Sequence, residues 1–529
     1  MKRHFGDEQV VTTGLRHVIA ALLVALASFA LGQASDPTAA VHGADTMLAQ
    51  TQERDTLRIG LRADASTLDG RNLLEYAART IGGLVFGSLV YIGHDGSIQP
   101  DLAESWEVED GRIFTFTLRE DVVFHSGKLL TANDVVYTFE TVRDPAVGSG
   151  YADNFPGLER IEALDEHTVL FEYEAPTAVA LSNIALVGIV SQEYTTVLEE
   201  ARTRPVGTGP FRFVSWERNE QVVLERNEDF YGTMPNFREI VFRIIPDGSV
   251  RATNLITGEI DVASEVPAPF VLQFQRDESF PISAAQGAYW AVIINTFTEP
   301  FDDVRVRRAV MHAIDRDELN LLLWEGLAEP IPPTPILPEN WAHESDVATY
   351  DYDPEEARRL LTEAGYEAGV ATTIVSRPDD LRVRFHEVLA NQLGRVGIEA
   401  SVEVMEASVQ LQLSRDQEVP LQGAQLGIRL DPSLDLRMTV HSDGSLNFGY
   451  QNPRIDELIE AAEVTVDQDE RRRILREAQR ILAEDVMLVP LFGLLDFQAH
   501  HPDLREFNTN PSGFPSVYHR VARYAYWAD

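Results

Sequence analysis

Histidines and carboxylates are the residues of this sequence that could catalyse a reaction or bind a metal ion. The 13 histidines are scattered, and only His500 and His501 are adjacent. On a strand these two side chains would point to opposite faces, so they would not bind one metal ion together. Acidic pairs such as Asp302-Asp303 are expected by chance among 84 acidic residues, and helix first turns use them. These residues therefore indicate neither a metal site nor an acid–base pair.

Motifs for nucleophilic catalysis, zinc hydrolysis and phosphate binding are missing from the sequence. It contains no G-x-S-x-G and no H-E-x-x-H, and Gly127-Lys128 lacks the preceding glycine of a phosphate loop. Cysteine is absent, which excludes disulfides, thiolate zinc sites, iron–sulfur ligation and cysteine nucleophiles. We therefore expect a protein that is not an enzyme and has no metal or cofactor. A secreted hydrolase is the disfavoured alternative, because it would need a catalytic dyad.

The charge balance of the chain is strongly acidic. Its 529 residues include 84 acidic and 44 basic side chains, which gives a net charge of −40. Such a surface repels a phosphate backbone, so we expect no nucleic-acid partner. Only Lys2 and Lys128 are lysines; this composition fits either salt adaptation or a coding bias. Hydrophobic residues make up 44%, which excludes disorder and allows several packed domains.

The N-terminal residues are typical of an export signal. Basic residues precede an apolar run of 14 residues, Val18–Leu31, which is too short to span a membrane at about 20 residues. Small residues follow it, as at a signal cleavage site. We predict a signal peptide over 1–34, cleaved near Gly32 to Ser35, and a flexible leader over 35–55. Since the chain lacks cysteine, we expect no lipid anchor on a cysteine.

Strand and helix signals alternate along the remaining chain. Apolar residues alternate with polar ones in Leu57–Leu61 and Phe114–Leu118, which predicts half-buried strands. Thr131 and Asp134 have the spacing of a capping box, and Asp353-Pro354 opens another helix with acidic residues in its first turn. The alternation predicts an α/β or α+β body.

Several long signatures resemble family 5 of the extracytoplasmic solute-binding proteins, which are the peptide, nickel and opine binders of ABC importers. One signature covers Gln99–Phe139. Arg204–Phe211 looks like the P-x-G-T-G-P-[FY] motif of the family, and Pro300–Arg316 looks like its P-F-x-D-x-R-V-R…A-I-[DN]-R block. The resemblance runs from about residue 56 to the C-terminus with the blocks in family order. Most of these residues fit turns and helix caps, so we interpret them as scaffold.

The resemblance implies an α/β, two-lobed periplasmic-binding-protein fold of class II type, with an extra inserted domain and a hinge cleft between the lobes. Ligand binding would close the hinge. The expected domains are lobe I at 56–89, 204–287 and 487–529, the inserted domain at 90–203, and lobe II at 288–486. The implied partners are a small peptide or peptide-like ligand and the permease subunits in the inner membrane. The protein itself is expected to be periplasmic and monomeric.

Four ligand-binding candidates follow from the resemblance. Val375-Ser-Arg-Pro378 is similar to the V-x-R-P of dipeptide binders, in which the arginine holds the peptide carboxylate. Arg377 is therefore the carboxylate candidate, with an ordinary surface arginine as the alternative. Trp290 and Tyr76 are expected to line the cleft, and core packing is the alternative for both. Asn295, at the end of the hinge strand, completes this group.

The sequence departs from the peptide binders at one position. Those proteins carry an aspartate three residues before a D-P or E-P pair, and it holds the free amine. Here the pair is Asp431-Pro432 and position 428 is isoleucine. Arg429 would then provide an anion anchor instead; alternatively a gap shifts the alignment, and Asp431 or Asp435 holds the amine. A non-peptide solute, such as an opine, organic anion or metal chelate, is therefore the alternative ligand, and a sensor or folding helper is an alternative role.

Overall fold

A computed structural model of the protein describes residues 55–93, 97–195, 197–338, 340–427, 431–507 and 525–528. The predicted signal peptide, the leader up to residue 54 and Arg429 lie outside these ranges. All elements below belong to residues 56–529.

The described residues form nineteen strands and fourteen α-helices. The strands are β1 Thr56–Leu61, β2 Val90–Ile92, β3 Ile98–Pro100, β4 Ala103–Glu109, β5 Ile113–Leu118, β6 Leu158–Ala163, β7 Thr168–Tyr173, β8 Phe211–Glu217, β9 Gln221–Arg226, β10 Glu239–Ile244, β11 Val262–Ala263, β12 Ile282–Ile294, β13 Glu329–Pro330, β14 Val370–Ser376, β15 Ile398–Val404, β16 Leu421–Gly427, β17 Leu488–His500, β18 Leu504–Arg505 and β19 Tyr526–Trp527. The helices are α1 Tyr76–Val85, α2 Ala132–Arg143, α3 Ala180–Ile184, α4 Leu198–Thr203, α5 Gly248–Thr257, α6 Ala268–Asp277, α7 Val304–Ala313, α8 Arg316–Trp324, α9 Pro354–Glu363, α10 Asp380–Gly394, α11 Ala407–Arg415, α12 Pro432–Thr439, α13 Pro453–Val464 and α14 Gln468–Asp485.

Local sequence signals explain where several of these elements begin. Thr131 and Asp134 form the predicted capping box at the start of α2, which satisfies backbone donors that a helix leaves free. The Asp353 side chain accepts hydrogen bonds from the N–H groups of Glu355 and Glu356 at the start of α9. The predicted alternation of β5 is also confirmed, because every second side chain of this strand is buried.

One large sheet connects both parts of the fold. Its strand order is β15-β14-β16-β12-β17-β11-β1-β10-β9-β8, and β13 pairs with β17. Strands β12 and β17 are antiparallel and pair from Ile282 opposite Ala499 to Ile293 opposite Leu488; we call this pair the central ribbon. The first half-sheet, strands β11, β1, β10, β9 and β8, lies on one side of the ribbon. The second half-sheet, strands β16, β14 and β15, lies on the other.

Each half-sheet has its own apolar core. In the first, Leu57 and Ile59 of β1 pack in one cluster with Ile81 of α1. In the second, Ile374 of β14 packs in a separate cluster with Phe385 of α10. Because the cores are separate, the ribbon is the part of the large sheet that links two packed bodies.

A four-stranded antiparallel sheet, ordered β4-β5-β7-β6, forms a third body with α2. Its core is aromatic: the rings of Phe139 and Phe171 meet edge to face at 4.9 Å, and Phe116 meets Phe171 at 5.5 Å. Such edge-to-face contacts add to the burial of the rings.

His125 joins this third body to the Gly207–Pro210 turn. Its Nδ1 accepts a hydrogen bond from the Gly207 N–H at 3.3 Å, and its Nε2 lies 3.0 Å from the Gly209 carbonyl oxygen. Burial lowers the pKa of His125 to about 4, so the imidazole is neutral and donates through Nε2. A side chain at Gly207 would overlap the Val85 carbonyl at the end of α1, so the family-like glycines act in packing, as expected.

Candidate functional site

The carboxyl ends of the parallel strands mark where an open α/β sheet binds ligands. In the first half-sheet β1 runs parallel to β10 and β11, and in the second β14 runs parallel to β15 and β16. The residues that end these strands are Leu61, Ile244, Ala263, Ser376, Val404 and Gly427.

The middle of the central ribbon lies between these two edges. Ala263, which ends β11, pairs with Ala499. Gly427, which ends β16, pairs with Ala288, and Ala288 pairs on its other side with Leu494. The segment Leu494–Gln498 therefore crosses from one ligand edge to the other.

Arg251 of α5 organises the edge of the first half-sheet. Its guanidinium donates to the carbonyls of Ser264 at 3.0 Å and Ile245 at 2.6 Å, and also to those of Pro246 and Glu265. These carbonyls follow β10 and β11, so one buried side chain fixes both loops. Burial lowers the pKa of Arg251, but the carbonyl dipoles satisfy its donors.

Two carboxylates, those of Glu265 and Asp496, lie beside this edge. Glu265 has a positive φ of 47°, and its side chain pairs with Arg62 at 3.1 Å. Asp496 of the central ribbon has a pKa raised to about 7, first by burial and second by Glu265, while Arg251 and Arg62 act in the opposite direction. No basic side chain among the described residues forms an ion pair with Asp496.

Arg377 lies at the edge of the second half-sheet, directly after β14. It is half-buried, and the described part of the chain places no hydrogen-bond acceptor against its guanidinium. Arg382 follows in the first turn of α10, is buried, and donates to the Gly423 carbonyl at 2.8 Å. Burial first, and Arg377 second, lower the pKa of Arg382 to about 10. The edge therefore carries two neighbouring cations, of which Arg377 is the one free to meet an anion.

Trp290 lies inside the core of the second half-sheet. It is 1% exposed, and its ring packs 4.9 Å from Phe385 and 5.9 Å from Trp324. Arg382 stacks over it at 5.0 Å. The structure thus places Trp290 beneath the Arg377–Arg382 edge, in the core packing that was its alternative role; contact with a ligand stays a prediction.

Asp431 and Asn295 make contacts within the scaffold. The Asp431 carboxylate lies 2.6 Å from the Arg471 guanidinium and caps α12 through the Ser433 N–H. The Asn295 side chain donates to the Gln417 carbonyl at 2.7 Å and accepts from the Phe297 N–H at 3.0 Å. Their predicted ligand contacts remain predictions.

Tyr76, the first residue of α1, lies against the central ribbon. Its hydroxyl accepts a hydrogen bond from the Gln498 amide at 3.0 Å. Gln498 is 1% exposed, and its other amide atom has no partner among the described residues; the same holds for the hydroxyl of Ser283, which pairs with Gln498 across the ribbon. The structure therefore brings Tyr76 to a polar face of the ribbon and leaves it apart from Trp290 and Asn295.

The sequence analysis did not single out Asp496, Gln498 or Arg251. One signal was present for Asp496, because it is the first charged residue in the apolar run that begins at Met487. A carboxylate in the middle of an apolar strand costs stability unless it is paired or hydrogen-bonded. Arg251 gave no such signal, because its four acceptors are backbone carbonyls.

A family model described as bacterial extracellular solute-binding proteins, family 5 middle, matches residues 97–447, about two thirds of the chain. The chain belongs to this family. The resemblance drawn from the sequence signatures is thereby confirmed.

Two relatives of this family 5 protein are peptide-binding proteins by name. Di/tripeptide-binding protein 1 of Pseudomonas aeruginosa is 29% identical over 82% of this chain and 88% of the relative. The dipeptide-binding protein of Escherichia coli is 27% identical over 78% of this chain and 84% of the relative. Both are binding proteins by name.

Solved structures confirm the two-lobed family 5 fold. The periplasmic binding protein DppA of Helicobacter pylori, in complex with the peptide STSA, superimposes with a TM-score of 0.70 at 26% identity and covers 91% of this chain and 100% of that one. HbpA2 of Haemophilus parasuis shares the fold with a TM-score of 0.82 at 23% identity, covering 88% of this chain and 99% of that one.

No cluster of three or more histidine or carboxylate ligands suited to a metal ion occurs in the described ranges. Within the same ranges, no helix combines the length and apolarity needed to cross a bilayer.

Proposed function

We propose that this family 5 protein is the substrate-binding component of an ABC importer and captures a small peptide or peptide-like solute in the cleft between its lobes. The observation that carries the proposal is Arg377, a cation without a side-chain partner among the described residues, at a ligand edge. A peptide carboxylate would supply its missing charge-assisted hydrogen bonds. The peptide-binding names of the relatives support the same class of ligand.

Hinge closure is the proposed mechanism. A ligand that contacts both half-sheets favours the closed form by as much as its affinity for that form exceeds its affinity for the open one. The central ribbon is the hinge in this proposal, and the permease subunits would recognise the closed protein. The proposed domains are those expected from the sequence, and the separate cores of the two half-sheets and of the four-stranded sheet support them.

Export belongs to the proposal as well. The apolar run Val18–Leu31 supports a cleaved signal peptide and a periplasmic location. N-terminal sequencing of the periplasmic protein should give a start near Gly32 to Ser35.

A non-peptide solute is the second candidate ligand. Isoleucine at position 428 removes the acidic amine anchor that the resemblance places there, and Arg429 follows it. Among the structural neighbours, AgaA was solved with agropinic acid and NikZ of Campylobacter jejuni with Ni(L-His). Arg377 and Arg429 would bind an acidic non-peptide solute as well as they would bind a peptide carboxylate.

Mass spectrometry of the native ligand separates these candidates. The protein is purified without denaturant, then unfolded, and the released small molecules are identified. A peptide would support the proposal, whereas an opine, organic acid or metal chelate would replace it with the second candidate. Detection of a hydrolysed peptide after incubation with excess substrate would contradict a binding protein and favour a hydrolase.

A further inference from the structure

The central ribbon carries a polar face, although most of the other residues in its two strands are apolar. Ser283 and Gln498 pair directly across the two strands. Asp496 lies two residues before Gln498, so both side chains point to the same face of the ribbon. Tyr76 of α1 reaches this face through its hydrogen bond with Gln498.

This polar face is incompletely satisfied. One amide atom of the 1% exposed Gln498 and the buried hydroxyl of Ser283 have no partner among the described residues. Buried polar atoms without partners are rare in folded proteins and cost stability. A ligand group that hydrogen-bonds to them would remove that cost, so the arrangement points to a binding site.

The charge of the face indicates which ligand group it fits. Asp496 is its only charged member, and it has no ion-pair partner in the described part of the chain. The nearby guanidinium groups are engaged elsewhere, because Arg62 pairs with Glu265 and Arg251 donates to four carbonyls. A carboxylate on the same face of the ribbon as hydroxyl and amide oxygens suits a group with several N–H donors and a positive charge.

We propose that Asp496, Gln498, Ser283 and Tyr76 form a second anchor that binds an ammonium group of the ligand. This inference rests on the proposed function, because the segment Leu494–Gln498 lies between the two ligand edges. It assigns the amine to the central ribbon, not to position 428. With Arg377 binding the carboxylate, one ligand would contact both the ribbon and the second half-sheet.

The experiment compares peptides with free and blocked amines. A set of dipeptides and tripeptides is screened by thermal shift, and the best binder is titrated by calorimetry as the free peptide and as its N-acetyl form. The same titrations use the variants Asp496→Asn and Gln498→Leu. Asp503→Asn, an exposed aspartate beyond the end of β17, is the matched control, and circular dichroism checks folding.

We expect acetylation to weaken binding to the wild-type protein at least tenfold. Asp496→Asn should lose at least tenfold in affinity for the free peptide and little for the acetylated one, because a charge-assisted hydrogen bond is removed. If Asp496→Asn does not fold, a smaller loss of the same selectivity in Gln498→Leu supports the inference.

Equal binding of both peptides by the wild-type protein would overturn the inference and leave the proposed function intact. So would a folded Asp496→Asn variant that behaves like Asp503→Asn. Absence of binding to every peptide of the set would overturn the proposed function and this inference with it.

Discussion

The Asp431 carboxylate and the Arg471 guanidinium lie 2.6 Å apart, and both side chains are buried, with exposures of 3% and 7%. Arg471 also donates to the Ser433 hydroxyl and to the Ala462 carbonyl. The pair therefore joins the start of α12 to the end of α13 through α14.

Replacement of Arg471 by alanine should destabilise the protein strongly. Removing one partner of a buried ion pair leaves an uncompensated charge and costs about 3–5 kcal/mol. Urea unfolding should show a lower midpoint for Arg471→Ala. Arg473→Ala, on the exposed side of the same helix, is the control and should leave the midpoint unchanged. Equal midpoints for the two variants would show that the buried pair contributes nothing.

Replacement of Arg377 by alanine should weaken ligand binding with little effect on folding. Loss of one partner of a buried charge pair costs about 2–5 kcal/mol, so affinity should fall roughly 30-fold or more. Arg377→Lys should restore only part of it, because a bidentate fork becomes a point charge. Calorimetry with the identified ligand gives the measurement, with exposed Arg384→Ala as control. Affinity within about twofold of wild type would make Arg377 a surface residue and Arg429 the next candidate.

Replacement of Gly207 by alanine should destabilise the contact between the Gly207–Pro210 turn and α1. The new Cβ atom would overlap the Val85 carbonyl, and backbone cannot yield as a flexible side chain does. Overpacking of this kind costs about 1–3 kcal/mol or more. Gly394→Ala, where nothing lies within 4 Å of the new atom, is the control. A thermal midpoint that falls for Gly394→Ala and not for Gly207→Ala would contradict the packing.

Asp496→Asn should stabilise the protein in a pH-dependent way. Asp496 has a folded pKa of about 7, above the roughly 3.9 of an unfolded aspartate. Between these values the unfolded chain releases a proton that the folded protein retains, so the wild-type carboxyl lowers stability as pH rises. Thermal midpoints of variant and wild type should coincide near pH 4 and separate up to about pH 7. A constant difference would show that Asp496 titrates normally.

Added salt should raise the thermal midpoint of the wild-type protein. With a net charge of −40, self-repulsion is strong at low ionic strength and is screened over about 10 Å at 0.1 M salt. Scanning calorimetry from low to molar NaCl measures the effect. A flat or falling midpoint would remove the explanation by salt adaptation and leave coding bias.

The sequence predicted the elements whose signals are local. The capping box at Thr131 and the Asp353 cap depend on residues within four positions of each other, so their spacing is visible in one dimension. The pairing of β12 with β17 joins residues about two hundred positions apart, and no local pattern specifies it. The polar face of the central ribbon therefore became visible only when both strands were placed side by side.

Trp290 shows a second limit of sequence reasoning. A tryptophan that lines a cleft and one that packs in a core occupy the same kind of position in an apolar strand. Only its contacts with Phe385 and Trp324 distinguish the two environments. Arg377 was easier to predict as a ligand-binding candidate, because a sequence motif identified it. The structure then places it directly after β14, at a ligand edge.

The central ribbon has a consequence for the cooperativity of unfolding. Each half-sheet pairs with one strand of the ribbon, so melting either half would expose unpaired backbone groups along the ribbon. The two half-sheets should therefore lose their structure in a single transition, although their apolar cores are separate. The four-stranded sheet shares no strand with the large sheet, and it is the part of the molecule that can open as an independent folding unit.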